Sequence, residues 1–377
     1  MYIQQAHLKT LQKLAVPGKV IVIYGARQTG KSTLLKHYVS TLNERVLFVS
    51  GEDVAVKEPL ESLSLEKLRA FVGNHDVLIV DEAQHIRKVG ANLKLLIDHL
   101  PHLKIIATGS SSFELAKDVG EPLTGRSYVL RIFPLAQMEI GATEKNHMVK
   151  THLEERLIYG SYPEVVLLQD NAMRQRYLTT MVSSYLYKDI LVLDDIRRAD
   201  KLQRLLQLLA FQVGREVSYN ELAAQLSMSK NTVARYLDLL EKVFVIFHRT
   251  GFSRNLRKEL SKSNRYYFLD TGIRNALINN FNPLSLRDDA GLLWENYMAS
   301  ERLKRHEYKG EFVSSWFWRT YDQKEIDLIE ESAGQLRGYE MKWNPNKRTK
   351  VPRDWAKHYP AATFETIHPE NYLPFIL

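Results

Sequence analysis

The stretch VIVIYGARQTGKSTLLKHYV, residues 20–39, decides the fold of the front of the chain. An apolar run is followed by Gly25 and Gly30-Lys31-Ser32, in the spacing G-x-x-x-x-G-K-S, and then by an amphipathic helical pattern. A strand, a glycine-rich turn and a helix in this order predict a phosphate-binding loop. Its backbone N–H groups would surround the phosphates, Lys31 would reach the outer phosphates, and the Ser32 hydroxyl would bind magnesium. We therefore expect ATP and Mg²⁺ as cofactors. The nucleotide-binding residues of the loop would be Gly25, Ala26, Arg27, Gln28, Thr29, Gly30, Lys31, Ser32 and Thr33.

A second apolar strand pattern, DVLIVDEAQHI, ends in two adjacent carboxylates. Open parallel sheets bind ligands at the carboxyl ends of their strands, so Asp81 and Glu82 are expected beside the phosphate loop. Asp81 would hold magnesium, and Glu82 would orient or deprotonate the attacking water. The pair could instead cap the following helix. Because the two motifs occur together, we expect ATP hydrolysis, with Lys31 and Glu82 as catalytic residues.

Two further residues are candidates for the same site. The strand pattern LKIIATGSSSFEL ends in polar residues, among which Ser110 is expected either to contact the γ-phosphate or to cap the next helix. Arg126, in PLTGRSYVL, follows on a predicted turn before a short strand. It is either an arginine finger supplied by a neighbouring subunit or a solvated turn residue. The first alternative implies a homo-oligomer.

Composition limits the class of protein. The chain has 377 residues, no cysteine and a formal net charge of +8. This length predicts more than one domain. The lack of cysteine excludes disulfides, a thiol nucleophile and a cysteine-ligated zinc, and no apolar run has the length of a membrane span. We therefore expect a cytoplasmic protein without a membrane partner, and the charge gives weak support to an anionic partner such as nucleic acid.

The middle of the chain has mostly helical patterns, and residues 218–250 have the order helix, turn, helix, β-like run. Ser218 can cap the first of these helices and Ser229 the second. This order is typical of a winged helix, whose second helix would offer Lys230, Asn231 and Arg235 to a DNA major groove. Such modules also serve as protein–protein contacts, so either DNA or a protein is the expected partner.

The segment that follows, RTGFSRNLRKELSKSNRYYFLD, interleaves six basic residues with few acids. Such a stretch can neutralise the phosphates of a nucleic-acid backbone, or it is a solvated basic loop. Its basic residues are Arg249, Arg254, Arg257, Lys258, Lys262 and Arg265.

Near the carboxyl end, EIDLIEESAGQLRGYEMKW predicts a β-hairpin. If the centre of SAGQ forms a two-residue turn, Asp327 falls opposite Glu340, with Cβ atoms roughly 5 Å apart. Lys342 points to the same side. This spacing suits two carboxylates that share a divalent cation, and Glu295 in the preceding helix GLLWENYMASERL would complete the site. A three-residue loop would destroy the register, and the alternative is an exposed hairpin without function.

These motifs resemble those of bacterial and archaeal AAA-type ATPases that join a phosphate-loop domain to a C-terminal domain of unknown function with a restriction-endonuclease-like, PD-(D/E)XK, fold. The resemblance covers nearly the whole chain and includes GARQTGKSTLL, LIVDEAQ, ATGSSS, GSYPEVV, FLDTGI and EIDLIEE…YEMK. It implies a place near the signal-transducing branch of AAA-like NTPases. It also implies that the Asp and Glu-x-Lys of the nuclease superfamily fall on Asp327, Glu340 and Lys342, with Glu295 as an additional acid. Ile326 departs from the proline that often precedes the aspartate.

We therefore predict an α/β fold in four parts. These are a P-loop AAA-like ATPase domain with a parallel sheet over residues 1–138, a helical linker or lid over 139–200, a winged-helix-like domain over 201–265, and a restriction-endonuclease-like α/β domain over 266–377. The expected function is Mg²⁺-dependent ATP hydrolysis whose nucleotide state controls DNA contacts, with a nuclease site near the carboxyl end. The alternative is an ATP-gated switch that acts on a protein partner and has no nuclease activity. The predicted catalytic residues are Glu82, Lys31, Arg126, Asp327, Glu340 and Lys342, and the predicted metal ligands are Ser32, Asp81, Asp327, Glu340 and Glu295.

Overall fold

The computed structural model describes residues 2–110, 122–141, 149–186, 199–253, 264–320, 322–347 and 349–377. The chain divides into two compact units. One comprises Met1–Pro134 with Lys242–Phe244, and the other comprises Leu135–Glu241 with Val245–Leu377. The finer division into four domains stays a prediction. In the described part of the chain, no helix combines the length and the apolar character needed to cross a membrane.

A five-stranded parallel sheet forms the centre of the first unit, with the strand order β2-β3-β4-β1-β5. Its strands are β1 (Val20–Gly25), β2 (Val46–Ser50), β3 (Val77–Asp81), β4 (Lys104–Gly109) and β5 (Ser127–Ile132). The central strand β1 is buried along its whole length, as expected of a parallel strand covered on both faces. Because all five strands run in the same direction, the segments that follow β1, β3 and β4 meet at one edge of the sheet.

Helices connect these strands and pack apolar side chains against the sheet. They are α1 (His7–Leu14), α2 (Lys31–Ser40), α3 (Val54–Leu60), α4 (Leu65–Val72) and α5 (Val89–His99), and a short 3₁₀ turn covers Ala83–His85. Leu11, Leu34 and Ile23 are fully buried in one apolar cluster against the sheet. Burial of each such side chain contributes about 1.5–3 kcal/mol, so this layer holds the start of α2 against the end of β1.

The first part of the second unit is helical, with α6 (Gln137–Ile140), α7 (Val149–Tyr159), α8 (Pro163–Leu167), α9 (Asn171–Thr180), a π-helical turn (Met181–Leu186) and α10 (Ala199–Phe211). The loop after α7 is fastened by the buried carboxylate of Asp270, which accepts the Ser161 N–H at 2.7 Å. Gly160 has φ 75°, and a Cβ there would lie 2.1 Å from Asp270 Oδ1. The motifs GSYPEVV and FLDTGI therefore pack against each other.

A helix-turn-helix segment follows in the predicted order. It consists of β6 (Glu216–Val217), α11 (Tyr219–Leu226), α12 (Lys230–Lys242), β7 (Ile246–Thr250) and β8 (Asn264–Phe268). Ser218 Oγ accepts the Glu221 N–H at 3.3 Å, and Ser229 Oγ accepts the Thr232 N–H at 3.1 Å. Both predicted helix caps are confirmed. The strands form an antiparallel sheet of order β6-β8-β7.

The last part of the chain surrounds a four-stranded sheet of order β12-β11-β10-β9. Its elements are α13 (Thr271–Leu277), a 3₁₀ turn (Leu284–Leu286), α14 (Ala290–Lys309), β9 (Ser314–Arg319), β10 (Glu325–Ser332), β11 (Gln335–Met341), α15 (Arg353–His358), β12 (Thr363–Ile367) and α16 (Tyr372–Ile376). In the β10–β11 hairpin, Ala333 and Gly334 have φ of 51° and 76°, which is the pattern of a two-residue type I′ turn. Ser332 pairs with Gln335 and Leu328 with Tyr339, so the predicted register is confirmed.

Beneath this sheet, Arg302 on α14 and Glu330 on β10 form a buried ion pair at 2.7 Å. The Nε2 atom of His306 lies 2.7 Å from the same carboxylate. Although burial opposes the shift, the hydrogen bonds from His306 and Arg302 lower the pKa of Glu330 to about 2. The carboxylate is therefore held in its charged form by partners on α14.

We predict that Glu330→Gln lowers the free energy of unfolding by about 3 kcal/mol at pH 7. The reason is that the folded state loses an ionised group whose pKa is lowered from 4.5 to about 2. Such a group stabilises the fold above its unfolded pKa near 4.5, and the stabilisation disappears as the pH falls towards 2. Urea denaturation at pH 7 and pH 3 measures the difference. All five tryptophans lie within residues 294–355, so their fluorescence reports this unit.

The neighbouring Glu331→Gln, on the opposite face of β10, is the matched control and is expected to change stability little at either pH. An equal loss of stability for Glu330→Gln at both pH values would contradict the electrostatic explanation.

Candidate functional site

The phosphate loop joins β1 to α2, and its lysine is already held over the loop. Lys31 is buried, and its ammonium group donates to the backbone carbonyls of Gly25 at 2.9 Å and Ala26 at 3.0 Å. A Cβ at Gly25 would lie 2.2 Å from the carbonyl oxygen of Ile132, and Gly30 has φ 93°. Only glycine fits these two positions without rearrangement, so the spacing in the motif has a steric cause.

The carboxylate of Asp81, at the end of β3, accepts hydrogen bonds from hydroxyl groups of two other segments. Ser32 Oγ donates to Asp81 Oδ2 at 2.6 Å, and the Thr108 hydroxyl donates to Asp81 Oδ1. The Thr108 oxygen in turn accepts the backbone N–H of Glu82 at 3.0 Å. Three side chains that are distant in sequence thus meet at the carboxyl edge of the parallel sheet. Hydroxyl and carboxylate oxygens are the ligands that Mg²⁺ prefers, so Ser32 and Asp81 fit the predicted ion.

Glu82 follows in an uncommon backbone conformation, with φ 52° and ψ 42°. This left-handed conformation is unfavourable for a residue with a Cβ by about 1–2 kcal/mol. The side chain is fixed by Gln84, whose Nε2 donates to Glu82 Oε2 at 2.5 Å and to Ser110 Oγ at 3.1 Å. Among the described residues, Gln84 Oε1 is buried without a hydrogen-bond partner. Gln84 therefore connects the two predicted residues Glu82 and Ser110.

Sequence reasoning assigned no role to Gln84. Its signal is the fourth letter of DEAQ, but its second partner is 26 residues away and is visible only in the fold. The predicted contact of Ser110 with a γ-phosphate stays a prediction. The alternative, that Ser110 caps a helix, concerns residues 111–121, which lie outside the described part of the chain.

Arg126 does not lie beside the phosphate loop. It precedes β5, whose first residue Ser127 pairs with Val20 at the start of β1, whereas the phosphate loop follows the other end of β1. Five residues of strand separate the two ends by roughly 16 Å. Arg126 instead forms an ion pair with Asp98 on α5. An arginine finger acting within its own chain is therefore excluded by the strand direction, and action on a neighbouring subunit stays a prediction.

The hairpin brings its predicted residues together on one side. Asp327 and Glu340 are buried, with exposed fractions of 7% and 5%. Asp327 Oδ2 accepts the Met341 N–H at 2.8 Å, and Glu340 Oε1 accepts the Lys342 ammonium at 2.6 Å. Glu340 Oε2 is buried and has no hydrogen-bond partner in the part of the chain that the structure describes. The predicted additional acid, Glu295 on α14, accepts the Tyr267 hydroxyl at 2.8 Å.

The carboxylates of this cluster repel one another in a dry environment. Burial, and after it the charge of Asp327, raises the pKa of Glu295 to about 8 and that of Glu340 to about 7. Burial also raises the pKa of Asp327 itself. Although burial opposes the shift, the hydrogen bond to Glu340 raises the pKa of Lys342. Burial and mutual repulsion therefore disfavour the charged forms of these acids.

Arg265 on β8 enters this cluster from the three-stranded sheet. Its guanidinium group lies 2.6 Å from Glu325, 3.7 Å from Glu295 and 3.8 Å from Asp327. It also stacks over the Phe317 ring, 4.4 Å from the ring centroid. The exposed fraction of Arg265 is only 3%.

This position corrects the interpretation of the basic stretch. Arg265 and Arg249 cannot neutralise nucleic-acid phosphates, because the pairing of β7 with β8 places both residues in buried positions. The remaining basic residues of the stretch, Arg254, Arg257, Lys258 and Lys262, lie outside the described residues.

The predicted three-carboxylate metal site is only partly assembled. Within the described ranges, no group of three or more histidine, aspartate and glutamate side chains is arranged to hold a metal ion. Glu295 is directed to Tyr267 and Arg265 instead. Asp327 and Glu340, with the unpartnered Glu340 Oε2, still fit a hard cation that takes two carboxylates and completes its shell with water.

The predicted DNA-contacting residues lie together at the start of α12. Lys230, Asn231 and Arg235 are exposed there. This position agrees with a recognition helix as well as with a protein contact, and binding to DNA stays a prediction.

Three family models match separate parts of the chain. Residues 17–141 match an AAA domain, residues 150–284 match a domain of unknown function, DUF8612, and residues 290–369 match another, DUF4143. The AAA match covers the phosphate loop, Asp81, Glu82 and β4, and supports an AAA-type ATPase domain in the first unit. The restriction-endonuclease-like fold and the signal-transducing branch stay predictions.

The chain is also similar to curated relatives and to solved structures. An uncharacterized protein of Mycobacterium tuberculosis is 26% identical over 343 residues, which cover 88% of this chain and 71% of the relative. An uncharacterized protein of Methanocaldococcus jannaschii is 26% identical over 310 residues, covering 77% and 68%. A Walker-type ATPase of Pyrococcus abyssi has a TM-score of 0.48 at 15% identity over 74% of this chain and 96% of its own. A TM-score below 0.5 does not establish a common overall fold.

We predict that Lys31→Ala weakens the binding of an ATP analogue about 100-fold, because truncating one member of a buried charge pair costs about 2–5 kcal/mol. Fluorescence titration with a labelled ATP analogue measures the affinity. Lys36→Ala, an exposed lysine on the same helix, is the matched control and should bind like the parent. Equal affinities for the two variants would place the nucleotide elsewhere.

Proposed function

We propose that the first unit binds and hydrolyses ATP with Mg²⁺. The observation that supports this most directly is the meeting of Ser32, Asp81 and Thr108 at the end of the phosphate loop. A loop that only bound phosphate would need its backbone N–H groups and Lys31 alone. The additional carboxylate of Glu82, fixed beside them by Gln84, gives the site a base for water activation.

Each residue has a separate task in this reaction. The loop amides and Lys31 hold the β- and γ-phosphates. Glu82 accepts a proton from the attacking water, whose oxygen bonds to the γ-phosphorus while the bond from that phosphorus to the bridging oxygen of ADP breaks. Ser32 and Asp81 would hold Mg²⁺, which neutralises charge on the β- and γ-phosphate oxygens when it is bound. Thr108 keeps Asp81 and the Glu82 backbone in fixed relative positions.

We predict that Glu82→Gln binds ATP with the affinity of the parent and hydrolyses it at least about 100-fold more slowly, because the amide cannot accept the proton of water. The rate of phosphate release at saturating ATP and Mg²⁺ measures turnover, and the titration with the labelled analogue measures affinity.

Glu66→Gln, an exposed carboxylate on α4, serves as the control for loss of charge and should turn over ATP like the parent. If Glu82→Gln hydrolyses ATP at the parent rate, Glu82 is not the base. If the parent itself shows no turnover that depends on Lys31, the ATPase proposal fails.

A second candidate function concerns the hairpin. We infer that Asp327, Glu340 and Lys342 form a site that cleaves nucleic-acid backbones with a divalent cation. The hairpin register supports this function, since Asp327 and Glu340 directly continue the Leu328–Tyr339 pair, and the buried Glu340 Oε2 has no hydrogen-bond partner among the described residues. Asp327 and Glu340 would hold the cation, which lowers the pKa of a bound water when present. Lys342 stabilises negative charge on the phosphate while the water oxygen bonds to phosphorus and the ester oxygen leaves.

We predict that the parent cleaves labelled single- or double-stranded DNA in the presence of Mg²⁺ and that Asp327→Asn reduces the rate at least about 100-fold. Gel electrophoresis with and without ATP measures the cleavage. Asp322→Asn, an exposed carboxylate in the loop before β10, is the matched control and should cleave like the parent. DNA that stays intact with all three proteins, and that leaves ATP turnover unchanged, would favour an ATP-gated switch acting on a protein partner.

A further inference from the structure

We propose that the guanidinium group of Arg265 is a built-in competitor of the divalent cation at Asp327. The proposal deepens the second candidate function and rests on its metal site. It concerns which positive charge sits among the hairpin carboxylates: a residue of the chain or a bound ion.

The position of Arg265 carries the argument. Its Nη1 atom lies 3.8 Å from Asp327 Oδ1 and 3.7 Å from Glu295 Oε1, so a single nitrogen faces two carboxylates at once. Neither distance is that of a good hydrogen bond. This side chain donates a hydrogen bond to Glu325 at 2.6 Å, and within the described ranges its Nε is buried without a partner. Arg265 therefore makes its hydrogen bond with Glu325 and places its positive charge near Glu295 and Asp327.

The positively charged side chain of the hairpin itself, Lys342, already has a hydrogen-bond partner. Lys342 donates to Glu340 at 2.6 Å. Asp327 has one oxygen on the Met341 N–H, and its other oxygen faces Arg265. Lys342 also acts on Asp327, so removal of Arg265 would reduce the positive charge near that oxygen and leave Lys342. An ion bound to the same oxygen would lie beside the guanidinium group, and two like charges in a buried place repel strongly.

Arg265 also belongs to a different structural element from the acids that it faces. It lies on β8, in the sheet that follows the helix-turn-helix segment, whereas Asp327 lies on β10 and Glu295 on α14. Stacking on Phe317 of β9 orients the guanidinium plane. The competitor is therefore positioned by tertiary packing, and the metal affinity of the hairpin depends on where β8 lies.

The experiment is a titration of Mn²⁺ into nucleotide-free protein, with free Mn²⁺ followed by electron paramagnetic resonance. We expect Arg265→Gln to bind Mn²⁺ about tenfold or more tightly than the parent, the size of effect that groups next to metal ligands commonly have. The double variant Arg265→Gln with Asp327→Asn should lose this binding. The double variant thereby separates the hairpin from the phosphate loop.

Equal Mn²⁺ affinity in the parent and Arg265→Gln, both abolished by Asp327→Asn, would overturn the competitor role while the metal site stands. The absence of binding that depends on Asp327 in either protein would overturn the metal site and the inference with it. If Arg265→Gln does not fold, Arg265→Lys replaces it. The shorter lysine keeps a cation next to Phe317 but withdraws it from Asp327, so a smaller gain in affinity is expected and an unchanged affinity overturns the proposal.

Discussion

The common direction of the five strands in the first unit is the constraint on which the nucleotide site depends. Lys31, Asp81 and Ser110 are separated by up to 79 positions in the sequence, yet each follows the end of a parallel strand. Inserting β4 between β1 and β3 places the Thr108 hydroxyl against Asp81. The same constraint removes Arg126, which precedes its strand and so lies at the opposite edge. Strand direction alone thus separates residues that can act on a nucleotide from one that cannot within its own chain.

The second unit depends on a different constraint, which is that buried charges must be compensated. Arg302 meets Glu330 with several hydrogen bonds, and His306 supplies another. Arg274 is compensated in the same way by Asp289. Around Arg265 four acids lie close together, Glu295, Glu325, Asp327 and Glu340, and in the described part of the chain the positive charges near them include Arg265, Lys342 and, for Glu295, Arg249. Burial is the first cause of the raised pKa values of Glu295 and Glu340, and the negative charge of Asp327 raises both further.

Local features were predictable from the sequence and long-range ones were not. The phosphate loop and the caps at Ser218 and Ser229 depend on a few consecutive residues, and the hairpin register follows from a two-residue turn by counting outward. The burial of Arg265 depends on pairing of β8 with β6 and β7 and on packing against β10, none of which leaves a local signal. The sequence of residues 249–265 therefore predicts a solvated or nucleic-acid-binding stretch, although its last arginine, Arg265, is buried. The contact of Gln84 with Ser110 could not be predicted from the sequence for the same reason.

In the described part of the chain, buried polar atoms without a hydrogen-bond partner occur at both candidate sites and also elsewhere. Gln5 Oε1 lies beside the phosphate loop and Gln84 Oε1 beside Glu82, and Arg265 Nε and Glu340 Oε2 lie in the hairpin cluster. Each such atom destabilises the fold by about 1–3 kcal/mol. The fully bonded pair of Arg302 and Glu330, a few residues away on the same strand and helix, shows that this chain can complete a buried network. An unpartnered atom at either site is therefore compatible with a ligand that supplies the missing partner, but it does not identify one by itself, since Trp355 and Tyr372 also bury unpartnered atoms away from both sites.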